Sequence, residues 1–212
     1  MSVKSDRDLA VFVTDQAAEM VGRAEVAAAW EEPSALEGMT VGALCAHLTR
    51  AAGATVAYLD RTDPEARAED ELLTDRTYFH AALDSPIHER IREVSADESA
   101  QGHPAIADLL ARVATELRER LASEPPDRLV GALGGRMLTL EDFCRTRLIE
   151  VVLHTDDVAA SVGVDPPEPP PEAMEIISDI LVGIARHVHG DRAVVNALAR
   201  RERAPASVFP VI

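Results

Sequence analysis

Apolar residues recur at spacings of three and four along much of the chain, and this period is typical of amphipathic helices. In the first stretch Leu9, Val13 and Ala17 follow one another on such a stripe. Thr40 and Thr139 each precede a stretch as an N-cap. The pattern predicts four long helices, at residues 6–29, 40–60, 104–122 and 139–163.

The connections between these helices differ in length. A short loop after residue 29 predicts that the first two helices are antiparallel neighbours. Residues 61–102 are polar, and this long connection can carry the chain back along a bundle. A weaker helix is predicted within it, near 75–94. Residues 129–138 predict a small hairpin or an irregular turn.

A proline-rich segment, residues 164–172, follows the fourth helix and predicts a stiff, extended linker. After it the pattern predicts a helix over 172–188 and a second, short helix from Asp191. The fold class is therefore all-α: a four-helix bundle at 1–163, followed by a linker and a small C-terminal helical extension at 164–212.

Charge and composition exclude several function classes. The formal net charge is −16, so nucleic acids and anionic membranes are poor partners. The chain contains no run of eighteen apolar residues, and its first residues lack a secretory signal. Its two cysteines are far apart in the sequence and do not form a disulfide framework. These features predict a cytoplasmic, reduced protein.

Glu150 and His154 carry the clearest chemical signal. Residues four apart on a helix lie one turn apart on the same face, so both side chains can offer a lone pair to one metal ion. His47, on the second predicted helix, would complete a set of two histidines and one carboxylate with an open position, as in some catalytic zinc sites. We call His47, Glu150 and His154 the candidate cluster.

The predicted helix ends permit this site without requiring it. In an antiparallel pair of helices, His47 would lie near His154, with Glu150 about one turn further along. Two alternatives remain open: a buried polar cluster without metal, or three residues that never meet. Glu150 does lie in an otherwise apolar stretch, where an unpartnered carboxylate would be costly.

Two charged residues flank the cluster on the fourth helix. Asp157 could accept a hydrogen bond from the free ring nitrogen of His154. Arg147 is a candidate for binding a carboxylate of the substrate or cofactor. The alternative for both is an ordinary pair on the helix surface.

The remaining cysteines and histidines favour structural or solvent roles. Neither Cys45 nor Cys144 shares a helix face with the cluster, so core packing is favoured for both. The histidines outside the cluster lie in polar connections or near a helix end: His80, His88, His103, His187 and His189. The chain also lacks a glycine-rich phosphate loop, a GxSxG elbow and a CxxC motif.

Four segments in order resemble the mycothiol-dependent maleylpyruvate isomerase family, which has a DinB-like fold. They are Trp30, GMTVGALCAHL (38–48), RLIEVVLHTDD (147–157) and GDRAVVNALARR (190–201). The resemblance implies a divalent metal, usually zinc, held by His47, Glu150 and His154. It also implies mycothiol as cofactor or acceptor, and Arg201 as the nearest match to an arginine that assists isomerisation.

The chain departs from the family in two respects. Met39 stands where many relatives have a second Trp, and the segment after the linker is short compared with the isomerase's C-terminal domain. These departures leave the identity of the substrate open.

Three functions are compatible with the sequence. The first is a metal-dependent transferase or isomerase that uses mycothiol on a small electrophilic substrate, as a monomer or a homodimer. The second is a non-catalytic, small-molecule-binding or regulatory bundle. The third is a metal-dependent hydrolase on the same scaffold.

Overall fold

The computed structural model describes residues 5–68, 71–83, 87–132, 135–203 and 208–211, with the main chain alone for 81–83 and 87–89. The helices are α1 (Asp6–Val21), α2 (Ala24–Ala28), α3 (Val41–Arg61), α4 (Asp75–Leu83), α5 (Ile87–Ser99), α6 (His103–Ser123), α7 (Leu140–Val162), α8 (Pro171–His189) and α9 (Asp191–Ala199). Two short strands, β1 (Leu129–Gly131) and β2 (Met137–Thr139), precede α7. The all-α fold class is thereby confirmed.

Helices α3 and α7 are antiparallel neighbours at the centre of the bundle. Near one end the rings of Tyr58 and Phe143 lie 5.3 Å apart, and further along the rings of His47 and His154 lie 4.6 Å apart. Residue numbers thus rise along α3 as they fall along α7. This arrangement brings the middle of both helices together, where the candidate cluster lies.

Ion pairs at the helix ends show how the other two long helices run. Arg7, at the start of α1, binds Glu141 at the start of α7 at 2.8 Å, so these two helices are parallel. Asp60 and Arg120, near the ends of α3 and α6, are 3.4 Å apart, so that pair is also parallel. The connection over 61–102 therefore does carry the chain back, as its length indicates.

The arrangement of the first two long helices differs from the prediction. Helix α1 packs against α6 and α7 and makes little contact with α3, which lies diagonally across the bundle. The predicted single helix over 6–29 is also interrupted, because Arg23 has an extended conformation between α1 and α2. Trp30, which follows α2, is buried and its ring covers Gly42; a Cβ at Gly42 would lie 2.6 Å from that ring.

The weaker helix expected near 75–94 corresponds to α4 and α5, and its residues 84–86 lie outside the described part of the chain. Helix α5 packs on α3, whereas α4 packs on α7 and α8. The predicted hairpin is present as the antiparallel pair of β1 and β2, with residues 133–134 outside the described part.

Arg128, beside the hairpin, is 3% exposed and stabilises the C-terminal end of α3. Its guanidinium donates hydrogen bonds to the carbonyl oxygens of Leu59, Thr62 and Asp63. It also pairs with Glu124 at 3.1 Å. A cation at this position satisfies carbonyls that lack a partner within the helix.

The C-terminal extension packs on the bundle through α8. Its buried residues Ala173, Ile177, Ile180 and Ile184 join the main hydrophobic core. Ala185, Val194 and Val208 form a smaller cluster between α8, α9 and the tail. Among the described residues, no helix is both long enough and apolar enough to cross a membrane.

Candidate metal centre

Local sequence explains why Glu150 and His154 point in one direction. Thr139 caps α7 by accepting a hydrogen bond from the Asp142 N–H at 3.0 Å, and the helix continues without interruption to Gly163, whose φ is +69°. An unbroken helix places residues four apart on one face. Thr40 caps α3 in the same way, seven residues before His47.

The structure brings the candidate cluster together. The Nε2 atoms of His47 and His154 lie 3.1 Å apart, and His154 Nε2 lies 3.6 Å from Glu150 Oε2. One ligand atom from each of the three residues lies within 4.8 Å of the others. The alternative in which these residues never meet is therefore wrong.

These separations fit a divalent ion. In a tetrahedral zinc site with Zn–N bonds of about 2.0–2.1 Å, ligand atoms lie about 3.3 Å apart. The distance of 3.1 Å between the two Nε2 atoms is close to that value. Two imidazoles and one carboxylate form a donor set that suits zinc and leaves one position open.

His154 has an acceptor for its second ring nitrogen. Its Nδ1 lies 3.1 Å from Asp157 Oδ2, as the spacing of the two residues suggests. A proton on Nδ1 leaves the Nε2 lone pair directed at the cluster. Burial by itself lowers the pKa of His154, but the contacts with Asp157 and Glu150 outweigh it and raise that pKa to about 9.

The pKa values of Glu150 and His47 are both lowered, in contrast to that of His154. Burial disfavours the Glu150 carboxylate, yet the hydrogen bond with His154 and the charge of Arg147 lower its pKa to about 2. Burial and the neighbouring His154 lower the pKa of His47 to about 4. At neutral pH the metal-free cluster therefore contains an ionised Glu150, a neutral His47 and a protonated His154.

Arg147 lies inside the protein and is only 7% exposed, so its interpretation as an ordinary surface residue is wrong. Its guanidinium stacks over the Phe143 ring at 4.9 Å and donates a hydrogen bond to the Tyr78 hydroxyl at 3.3 Å. Tyr78 comes from α4 and is buried. The sequence did not single out Tyr78, because nothing local relates residue 78 to α7.

Arg201 lies elsewhere, in an exposed turn of 3-10 helix, Arg201–Arg203, that follows α9. Within the part of the chain that the structure describes, no hydrogen bond or ion pair joins it to the cluster. Its role in isomerisation stays a prediction.

The remaining candidates have other contacts. Cys45 and Cys144 are buried in the core, and burial raises the pKa of each thiol to about 12. His103 contacts the Val21 carbonyl oxygen at 2.7 Å. His80 and His187 stack with ring centroids 3.6 Å apart. The His88 side chain lies outside the described part of the structure.

The sequence interpretation did not identify one further residue beside the cluster, Arg50. Arg50 lies one turn after His47 on α3, and its Nη2 is 3.5 Å from His47 Nδ1. The i,i+3 spacing that pointed to Asp157 relates Arg50 to His47 in the same way, so this contact was accessible from sequence.

Comparison with known protein families identifies the family of this chain. Residues 13–159 match the family described as the mycothiol maleylpyruvate isomerase N-terminal domain. The chain belongs to this family. The matched region contains the whole candidate cluster and Asp157, and it ends before α8 and Arg201.

Two solved structures of such an isomerase are similar to this member of the mycothiol maleylpyruvate isomerase family. A crystal structure of the mycothiol-dependent maleylpyruvate isomerase has 19% sequence identity and a TM-score of 0.55. A structure of a variant with one histidine replaced by alanine has 20% identity and a TM-score of 0.58. Each alignment covers 86% of this chain and 68% of the other.

At these identities the similarity shows the fold. No curated protein matches the sequence significantly.

Proposed function

We propose that this protein is a divalent-metal-dependent enzyme that uses a low-molecular-weight thiol, mycothiol, to isomerise or S-conjugate a small electrophile. The observation that supports the proposal is the convergence of His47, Glu150 and His154 within 4.8 Å, in a chain whose family is named for mycothiol and maleylpyruvate. Zinc is the metal that this donor set suits best.

Each residue of the cluster has a separate task in this proposal. His47 and His154 supply neutral nitrogen ligands, and Glu150 supplies a carboxylate that is already ionised at neutral pH. Asp157 orients the His154 ring and keeps its proton on Nδ1. When bound, zinc would hold a thiol as its thiolate and so supply a nucleophile at neutral pH.

The two arginines predicted from sequence belong to the same proposal. Arg147 would hold a carboxylate of the substrate or of mycothiol only if its side chain leaves the Phe143 and Tyr78 rings. Arg201 would assist isomerisation only if the C-terminal turn approaches the cluster. Metal binding by the cluster depends on neither movement.

Metal analysis is the first test. Protein purified without chelator or nickel resin should contain about one zinc per chain. His154→Ala should lose most of this metal and keep its helical circular dichroism, whereas His189→Ala, a matched change at the end of α8, should keep both. Full metal occupancy in His154→Ala would overturn the assignment.

Cobalt substitution tests the open coordination position. Thiolate coordination adds a charge-transfer band in the near ultraviolet, so mycothiol should produce this band in the cobalt protein. His47→Ala should not show it. If cobalt binds at the cluster and no thiol alters its spectrum, the thiol-using enzyme is refuted, and a metal-dependent hydrolase or a regulatory bundle becomes the better account.

A further inference from the structure

The two histidines of the cluster are supported in opposite ways. On His154 the outer nitrogen, Nδ1, faces the carboxylate of Asp157 at 3.1 Å. On His47 the outer nitrogen faces the guanidinium of Arg50 at 3.5 Å. One ring therefore has an acceptor behind it, whereas the other has a cation that can only donate.

Arg50 is held in this position by the neighbouring helix α5. Its Nη2 donates to Ser95 Oγ at 2.7 Å and its Nη1 pairs with Glu98 Oε2 at 3.2 Å. A longer contact of 3.4 Å reaches the Ile91 carbonyl oxygen. Because Ser95 is fully buried and α5 packs along α3, the guanidinium has little freedom to leave His47.

A fixed cation beside His47 has opposite effects on the binding of a metal ion and on the binding of a thiolate. An imidazole that gives its Nε2 lone pair to a metal carries its proton on Nδ1, and in His47 that N–H would point at another donor. The positive charge also opposes a second cation nearby. The same charge attracts an anion that enters the loaded site, and Glu98 offsets part of both effects.

We propose that Arg50 is a positioning residue that lowers the affinity of the cluster for a divalent ion and raises the affinity of the metal-loaded site for a thiolate. Both halves of this inference rest on the metal binding of the proposed function, and the thiolate half rests on its use of a thiol as well. The Arg50–Glu98 pair then sets the balance between holding metal and binding the anionic nucleophile.

Charge variants separate this role from a merely structural one. Arg50→Gln removes the cation and supplies an amide oxygen, so cobalt should bind roughly three- to tenfold more tightly, and 2-mercaptoethanol should bind the cobalt protein more weakly by a similar factor. Glu98→Gln leaves the cation uncompensated, so both affinities should shift in the reverse directions. Arg50→Lys keeps the charge and should stay close to the native protein in both.

The measurements are cobalt affinity against a competing chelator and thiol affinity from the charge-transfer band, each at low and high salt. The opposite shifts should shrink at high salt, because salt screens charges at the surface. Weaker cobalt binding in Arg50→Gln, or shifts in one common direction in Arg50→Gln and Glu98→Gln, would overturn the inference.

A failure of the proposed function has a different signature. In that case the native protein itself would bind no cobalt, or would bind cobalt and show no thiol band. If the native protein does both, every result in the variants bears on Arg50 alone.

Discussion

Metal binding should displace one proton from the cluster at neutral pH, and this proton comes from His154. The pKa of His154 is raised to about 9, that of His47 is lowered to about 4, and that of Glu150 is lowered to about 2. Between pH 5 and pH 8, therefore, His154 is the group whose lone pair is blocked. The metal needs that lone pair and must compete with the proton for it.

The size of the pH effect on metal affinity follows from the same pKa values. A site with a pKa of about 9 is protonated in all but about 1% of molecules at pH 7, so apparent metal affinity there should be about 100-fold below its plateau. Because the raised pKa favours the proton, affinity should rise with pH, by about tenfold per unit, and level off above about pH 9. Below about pH 4 His47 also takes a proton, and the dependence should become steeper.

Calorimetric titration with zinc in buffers of different ionisation enthalpy counts the released protons, and chelator competition from pH 5.5 to 7.5 measures the slope. One proton per metal is expected. Asp157→Asn removes a group that raises the pKa of His154, so this variant should release fewer protons near pH 8. Its plateau affinity should be about 10-fold lower, because the support behind the ligand is weaker.

Two results would refute this reasoning. Metal affinity that does not change between pH 5.5 and 7.5 would mean that His154 is already neutral in the metal-free protein. Release of two protons at pH 6, where a zinc-bound water stays largely protonated, would mean that His47 is protonated as well. In Asp157→Asn, an unchanged plateau affinity would show that Asp157 is only a surface residue.

Three further predictions concern the frame of the site. Gly42→Ala should destabilise the protein by about 1–3 kcal/mol in thermal or urea unfolding, because a Cβ there would lie 2.6 Å from the Trp30 ring; an unchanged midpoint would contradict that packing. Arg128→Met should cost about 3 kcal/mol by the same measurement, since it removes the buried hydrogen bonds to three carbonyl oxygens at the end of α3 and one of the two arginine partners of Glu124, and a neutral effect would argue against this capping role. Tyr78→Phe should cost about 1 kcal/mol through the lost hydrogen bond from Arg147, without loss of bound metal; release of the metal would place Tyr78 closer to the cluster than we infer.

Much of the site was predictable because two of its three residues lie four positions apart on one helix. Glu150 and His154 share a face in any regular helix that contains both, and one continuous helix runs between the caps at Thr139 and Gly163. The approach of His47 was suggested by its distance from the start of its own helix. The family resemblance pointed to the same three residues.

Other features could not be read from local patterns. An extended arginine, Arg23, interrupts the predicted first helix, and the period of the apolar residues does not reveal that interruption. The first and second long helices were expected to be neighbours. They lie diagonally across the bundle instead. The loop between them makes them antiparallel but does not require them to pack against each other.

The amino-acid sequence alone determined most of the long helices, the caps at Thr40 and Thr139, the acidic character of the chain and the shared face of Glu150 and His154. The helices, their caps and the shared face depend on residues close together along the chain. Tertiary packing determined the surroundings of that face. Helix α4 brings Tyr78 to Arg147 and encloses it, and helix α5 holds Arg50 beside His47. These contacts join residues about 45 to 70 positions apart, and their existence depends on how whole helix faces fit together, which no local period specifies.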